Sequence, residues 1–572
     1  MSPLNVRPRP GKSIRPLLLI AWGLLLLAPL SCNKNNSSNS SLTGSTPRSL
    51  SPSQVRARQV NNYLMSYGPL DSAAIAIAKN YDVVVVHPSQ GQITRDIVRQ
   101  IQEGNDPNDP SDDVVVLGYI SIGEDLRTND FSDEELRNDP RFVGDGTGPR
   151  VDPRGHLPNG GPLDGIDPMG LPSPGGTGFA SYYLDDNSVD QLGFGDGVPD
   201  RNAHFGACFV NAGDPKWFDV VNNMTLDGPD KLAGLREIMD LDYGRGLGCD
   251  GVFLDTIDTC GPNSFTNPSS SNQSEFEWTA PGYALFLSRF RQIHPDRVVL
   301  QNRGLFFFDP RHPHYQFTTR PYVDLVLFES LRLNSNPSEG INPYFSNDNR
   351  YNIAPKLMAE ANRPDGFRVV SLGYAEGPPG QMSKQTLVGG STLGTDLLLE
   401  DIRIAEQENG FRHYLSDASV TLVNDFVRTH AQRDDHTPPV WSSTYNANTN
   451  LVAPAPPTPR PGLREMVGGA GSITVRWDVA LDLNPVRYAL YLQTRPFDFV
   501  ADPDLTQATR IVLTPEVGAG YSAGPGPTTF PYEATVGGLT PGTGYYGVLR
   551  AFDTSPAANE EKNQVMQAAM PH

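Results

Sequence analysis

Cysteine is scarce in this chain, with 4 in 572 residues. That is too few for a disulfide scaffold, and no CxxC pair or Cys/His group has the spacing of a sulfur-based zinc site. Histidine is also sparse, at 10, and forms no ligand cluster, so no metal centre is expected from it. No Gly-rich phosphate turn follows the first strand-like run, which argues against a doubly wound nucleotide-binding sheet. Positive charge is short as well: 45 Lys and Arg stand against 65 Asp and Glu, for a net charge of −20. Nucleic acid and anionic membrane surfaces demand a basic face and are excluded as partners, which leaves neutral or cationic ones.

The N-terminal residues read as a targeting segment. Arg7, Arg9, Lys12 and Arg15 precede an apolar run from Leu17 to Leu30 that Trp22, Gly23 and Pro29 interrupt. The run is short for a membrane span and suits a signal peptide over residues 1–31. Leu30-Ser31-Cys32 resembles a bacterial lipobox, departing from it at Pro29, where Leu is usual. Cys32 is therefore the expected lipidation site, with ordinary signal cleavage as the alternative. Removal of the four cations takes the net charge to −24. Residues 32–58, rich in Ser and Asn, read as a flexible tether. The expectation is an exported lipoprotein anchored to a membrane or the cell surface, or else a secreted protein.

Between residues 59 and 436 apolar runs alternate with amphipathic stretches. Strand-like runs cover 61–68, 82–87, 114–122, 251–255, 297–302, 323–329, 367–374 and 411–415, with helical stretches at 72–79, 94–103, 283–294 and 396–408. Continuous Val, Leu, Ile and Phe runs mark parallel strands buried on both faces. Eight such units predict an α/β fold, a (β/α)8 TIM barrel, over a doubly wound sheet. A long Gly-, Pro- and Asp-rich insertion, Arg127 to Phe205, follows the third strand and should drape over the barrel mouth. Within it Asp185, Asp186, Asn187, Asp190, Asp196 and Asp200 resemble oxygen-rich calcium loops without EF-hand spacing. Calcium is the one ion this pattern suggests, and no cofactor is otherwise required. A Pro- and Thr-rich linker, 437–461, leads to an all-β region at 462–572.

Function in such barrels sits at the C-terminal ends of the strands. Those ends carry Tyr67, His87, Glu124, Asp255, Asn302, Glu329 and Tyr374. Two carboxylates among phenols and an amide suit glycoside hydrolysis, one as acid and one as nucleophile or stabiliser. Asp255 and Glu329 end strands two apart and can face one mouth. Asp250, at the far end of the same strand as Asp255, reads as structural, and His87 as a satisfied core imidazole.

Several of these segments resemble the endo-α-1,4-polygalactosaminidase family, glycoside hydrolase family 114. The residues are Leu117-Gly118-Tyr119-Ile120-Ser121-Ile122-Gly123-Glu124, Asp214-Pro215-Lys216-Trp217, Asp250 to Asp258, Val299 to Asn302 and Leu327 to Ser330. Departures are the long insertion and Thr256, where the family has Asn. The resemblance implies a retaining endo-glycosidase for an α-linked, galactosaminan-like polysaccharide, with Asp255 as nucleophile and Glu329 as acid/base. Glu124 and Asp258 would bind substrate or tune the pair, and Tyr67, Tyr119, Asn302 and Tyr374 would contact sugar. A non-catalytic exopolysaccharide-binding lipoprotein is the alternative, although a binder has no need of both carboxylates.

The last region resembles fibronectin type III, with Trp477 as its core tryptophan and Tyr545 as its tyrosine corner. Of the remaining cysteines, Cys249 enters the fourth strand at the end opposite Cys260. Cys208 and Cys260 share the mouth end and are expected to pair, leaving Cys249 free; three unpaired thiols are the alternative.

Overall fold

The computed structural model describes residues 49–572 apart from 156–161, 186–194, 203, 263–275, 335–342, 376–395, 425–437, 442–444, 447–450, 453–461, 483, 485, 515 and 518–531. Cys32, the signal segment and most of the linker lie outside the described residues, as do Asp186, Asn187 and Asp190 of the acidic insertion loop.

Eight strands build the first domain: β1 (Tyr63–Ser66), β2 (Val83–Val86), β3 (Val115–Ser121), β4 (Gly251–Asp255), β5 (Val298–Asn302), β6 (Leu325–Glu329), β7 (Arg368–Tyr374) and β8 (Arg412–Ser416). They form one sheet in sequence order, every neighbouring pair parallel. The sheet curls so that its two edges meet: Tyr67 N–H donates to the Val420 carbonyl at 2.6 Å, and the Tyr63 and Tyr414 rings pack 5.7 Å apart. This is the expected (β/α)8 barrel. All four valines of β2 are buried, as a strand covered on both faces requires.

Helices between strands start where the sequence supplies caps. Asp71 accepts from Ala74 N–H ahead of Ser72–Ala78, Thr94 from Ile97 N–H ahead of Arg95–Gln102, and Asp214 from Lys216 N–H ahead of Pro215–Asn223. At the N-terminal end of the barrel, aspartates just before β2, β4 and β6 clamp neighbouring backbone. Asp82 accepts from Asn61 and Asn62 N–H, Asp250 from Val116 N–H, and Asp324 from Val299 N–H. Asp250 is thus structural, as its position in the sequence suggests.

The end of the expected tether belongs to the barrel instead. Pro52–Arg58 forms a helix closed by a capping box at Ser51 and Gln54. Gln54 is fully buried, its amide donating to the carbonyls of Pro295 and Arg297. A polar tether residue folds here because two strand-entry carbonyls need its donors.

The long insertion leaves and returns at one place, where Glu124–Asp125 pairs antiparallel with Cys208–Phe209. Asp125 fastens it, accepting from Arg127 at 2.8 Å and from the Tyr183 hydroxyl at 2.7 Å. The expected Cys208–Cys260 bridge does not form. Both are buried free thiols, as is Cys249. Cys208 is held in the two-residue strand with its N–H on the Thr128 hydroxyl, whereas Cys260 closes a 3-10 turn with its thiol on the Ile257 carbonyl.

The C-terminal region is all-β. Its strands are β9 (Leu463–Gly469), β10 (Ser472–Trp477), β11 (Val486–Gln493), β12 (Thr509–Leu513), β13 (Tyr532–Gly537), β14 (Tyr545–Asp553) and β15 (Met566–Ala569). One antiparallel sheet runs β9-β10-β13 with Glu516–Val517 at its edge, and the other runs β12-β11-β14-β15. Trp477 is fully buried between them against Tyr488. The Tyr545 hydroxyl accepts from Thr540 N–H at 3.2 Å. Val440–Trp441, inside the expected linker, pairs with Ala480–Leu481.

Candidate active site

Adjacent strands β4, β5 and β6 end in Asp255, Asn302 and Glu329. The residue after each one, Thr256, Arg303 and Ser330, adopts a left-handed backbone with φ of 64°, 52° and 55°. None is glycine, so each turn costs about 1–2 kcal/mol and needs local bonds to hold it. Thr256 supplies them through its hydroxyl, which donates to the Asp255 carbonyl at 2.6 Å and accepts from Gly123 N–H at 2.7 Å. Arg303 is held by Asp258 at 2.7 Å and in turn donates to the Glu329 carbonyl at 3.0 Å.

These turns set the two carboxyls facing each other across one amide. Asn302 Nδ2 donates to Asp255 Oδ1 at 2.8 Å and to Glu329 Oε2 at 2.7 Å. Legs of 2.8 and 2.7 Å on one nitrogen bound the facing oxygens to within 5.5 Å of each other. Two N–H bonds at the trigonal angle put them about 4.8 Å apart. The outer oxygen of each carboxyl meets a phenol: Tyr119 donates to Asp255 Oδ2 at 2.8 Å and Tyr374 to Glu329 Oε1 at 2.6 Å.

Burial, then the charge of Glu329, raises the Asp255 carboxyl above its ordinary range, against the pull of the Asn302 and Tyr119 hydrogen bonds. The Tyr119 and Tyr374 phenols are raised well above 10, first by burial and then by the carboxylate each faces. They therefore stay protonated and act as donors. His87 stacks on Tyr119 with ring centroids 4.5 Å apart, and burial lowers its pKa to about 4. It is a neutral packing partner, as a satisfied core imidazole should be.

A cavity of about 420 Å³ opens over this pair. It brings together Asp255 and Glu329 with Tyr67, Tyr119, Glu124, Asn302 and Tyr374, all expected there from sequence. Asp258 is not among its lining residues; its carboxylate is turned to Arg303 and Gly304 N–H. It braces the turn after Asn302, where the half-buried Arg303 guanidinium needs a counter-charge. Glu124 is 4% exposed and accepts from Asn202 of the insertion at 2.9 Å. Burial lifts its pKa to about 7, the Asn202 bond opposing. No lysine or arginine lines the cavity among the described residues.

Arg303 and Asn202 carry no signal that sequence reasoning could use, since what each does depends on partners distant in the chain, Asp258 and Glu124. Among the described residues no group of three or more metal-binding side chains is found. Asp185 accepts from the Ser173 hydroxyl and Gly197 N–H.

No family model matches the chain, and no curated protein sequence matches it. Among solved structures it is similar to the glycoside hydrolase domain of PelA from Pseudomonas aeruginosa, at 14% identity over 63% of this chain and 96% of that one, with a TM-score of 0.37. It is also similar to the C-terminal domain of ChiA from Legionella pneumophila, at 10% identity over 60% and 84% of the two chains, with a TM-score of 0.27.

Proposed function

We propose that the barrel is a retaining glycoside hydrolase, endo-acting on an α-linked, amino-sugar-rich polysaccharide of the galactosaminan type. What carries this reading is the Asn302 amide shared by Asp255 and Glu329. Retaining enzymes hold their carboxyls about 5–5.5 Å apart, whereas inverting ones leave about 6.5–9.5 Å for a water. Facing oxygens no more than 5.5 Å apart suit the first class.

In this mechanism Glu329 gives its proton to the glycosidic oxygen as that bond breaks, and Asp255 attacks the anomeric carbon to form a glycosyl ester. Glu329 then takes a proton from water, which attacks the same carbon and releases the Asp255 carboxylate. Tyr119 and Tyr374 fix the carboxyl planes. Asn302 Oδ1 is buried and has no partner among the described residues. Three carboxyls and no described cationic side chain at the cavity suit a substrate that is neutral or positively charged.

The test is product analysis of the whole protein on acetylated and deacetylated galactosaminan, with the anomeric configuration of the first product read by NMR. Shortened oligomers released with retained configuration are expected. Inverted product overturns the retaining assignment, and no cleavage of either polymer overturns the substrate.

The same reading makes the C-terminal region a fibronectin type III-like module that spaces or binds, and Cys32 a lipid anchor holding the enzyme at the membrane. Cys32→Ala should move the protein from the detergent phase to the aqueous one. A native N-terminus downstream of Cys32 by mass spectrometry removes the anchor.

A further inference from the structure

Phe205 is 71% exposed, and no other phenylalanine or tryptophan among the described residues stands out as exposed. Single exposed apolar side chains are ordinary on protein surfaces. This one is set apart by its place, because it lines the same cavity as Asp255 and Glu329. It sits at a reversal of the insertion, where the Asn202 N–H donates to the Ala207 carbonyl at 2.8 Å and Gly206 N–H to the Asn202 carbonyl at 2.6 Å.

Asn202 holds that reversal and ties it to the barrel. Its side-chain oxygen accepts from His204 N–H at 2.9 Å and Phe205 N–H at 3.3 Å. Its side-chain nitrogen donates to the buried Glu124, which follows β3 and lines the cavity too. One buried side chain thus fixes the backbone that carries the ring and ties it to Glu124 in the cavity wall. An aromatic face held in this way offers a flat apolar surface with negative charge over its centre. A pyranose ring presents the matching surface, a patch of C–H groups flanked by hydroxyls that stay in water.

We infer that Phe205 is a sugar-stacking platform of the insertion, a subsite for a residue of the polysaccharide beyond the bond that is cut, with Asn202 as its positioning residue. This rests on the glycan reading above. It makes the insertion a determinant of chain-length preference, since only a substrate long enough to reach the rim gains the contact.

The test uses the full chain carrying Asp255→Asn, so that oligomers bind without being consumed. Titration calorimetry with galactosaminan oligomers of increasing length, acetylated and deacetylated, gives affinity against length. Adding Phe205→Ala should weaken binding of long oligomers roughly five- to tenfold and flatten the gain with length. Phe205→Trp should restore it, and its indole fluorescence should shift on saturation. Val500→Ser, at a 95% exposed site in the all-β region, serves as the control and should leave binding as it was. Equal affinity of the Phe205→Ala protein and its Asp255→Asn parent for every length overturns the platform alone. A parent that binds no oligomer overturns the glycan reading and the platform with it.

Discussion

Glu124 is buried three residues past β3 with one oxygen 2.9 Å from the Asn202 amide. The bond joins the barrel to its insertion, and its strength depends on the protonation state of the acid. In the folded chain burial holds this carboxyl near 7, above the ordinary value of 4.5. Between pH 4.5 and 7 the folded protein keeps a proton that the unfolded chain has lost. Its contribution to stability is therefore complete below about 4.5 and declines as pH rises to about 7. Glu124→Gln removes that dependence. Its melting temperature should overtake that of the wild type as pH climbs through this window, by a free energy at most on the order of 3 kcal/mol. Identical pH profiles for the two proteins would show that Glu124 ionises in place without penalty.

Asp255→Asn and Glu329→Gln should each slow hydrolysis by three or more orders of magnitude, roughly, while unfolding at nearly the wild-type denaturant midpoint. Asn302→Ala removes the amide that both carboxyls share. Its rate should drop by about 10² with a displaced pH optimum, because two unscreened carboxyls then face each other. Wild-type turnover in either carboxyl variant refutes their roles. An unchanged pH optimum in the Asn302 variant refutes the amide's.

The barrel was legible because its strands are continuous apolar runs whose count and spacing leave few architectures. Asp255, Asn302 and Glu329 were legible because each closes such a run. The support beneath them was not. Thr256, Arg303 and Ser330 take a left-handed turn that their residue types disfavour, and for Thr256 and Arg303 contacts distant in sequence, to Gly123, Asp258 and Glu329, help hold it. Asp258 looked like a member of the site for the same reason: spacing places it near the mouth, but only the fold shows that Arg303 claims its carboxylate. The helix from Pro52 to Arg58 escaped notice because its partners, the carbonyls of Pro295 and Arg297, lie some 240 residues away.

Cys208, Cys249 and Cys260 should be silent towards thiol reagents in the native protein and react only after denaturation. Burial pushes the Cys208 thiol up to about 12 and raises the other two further, so almost no thiolate exists at neutral pH. Reductant should leave the melting temperature unchanged. Mass spectrometry of protein alkylated in denaturant should find all three labelled; a linked Cys208–Cys260 peptide would contradict the free thiols.

The turn behind Asp255 hangs on the Thr256 hydroxyl, which accepts from Gly123 N–H at 2.7 Å and Ile122 N–H at 3.2 Å. Gly123 has no room to adjust, since a Cβ there would lie 2.1 Å from the Thr256 carbonyl oxygen. Thr256→Val keeps the shape and the branched Cβ but deletes the acceptor. Gly123 N–H is then left in a dry site without a partner, a loss of about 1–3 kcal/mol. The Asp255 carboxyl also loses the brace on its own backbone, so turnover should fall along with stability. Thr256→Ser keeps the oxygen and should behave like the wild type in both respects. Urea unfolding and steady-state rates on the three proteins decide the matter: if the Val variant matches the wild type while Ser falls short, packing of the branched side chain rather than the hydroxyl holds the strand end at Asp255.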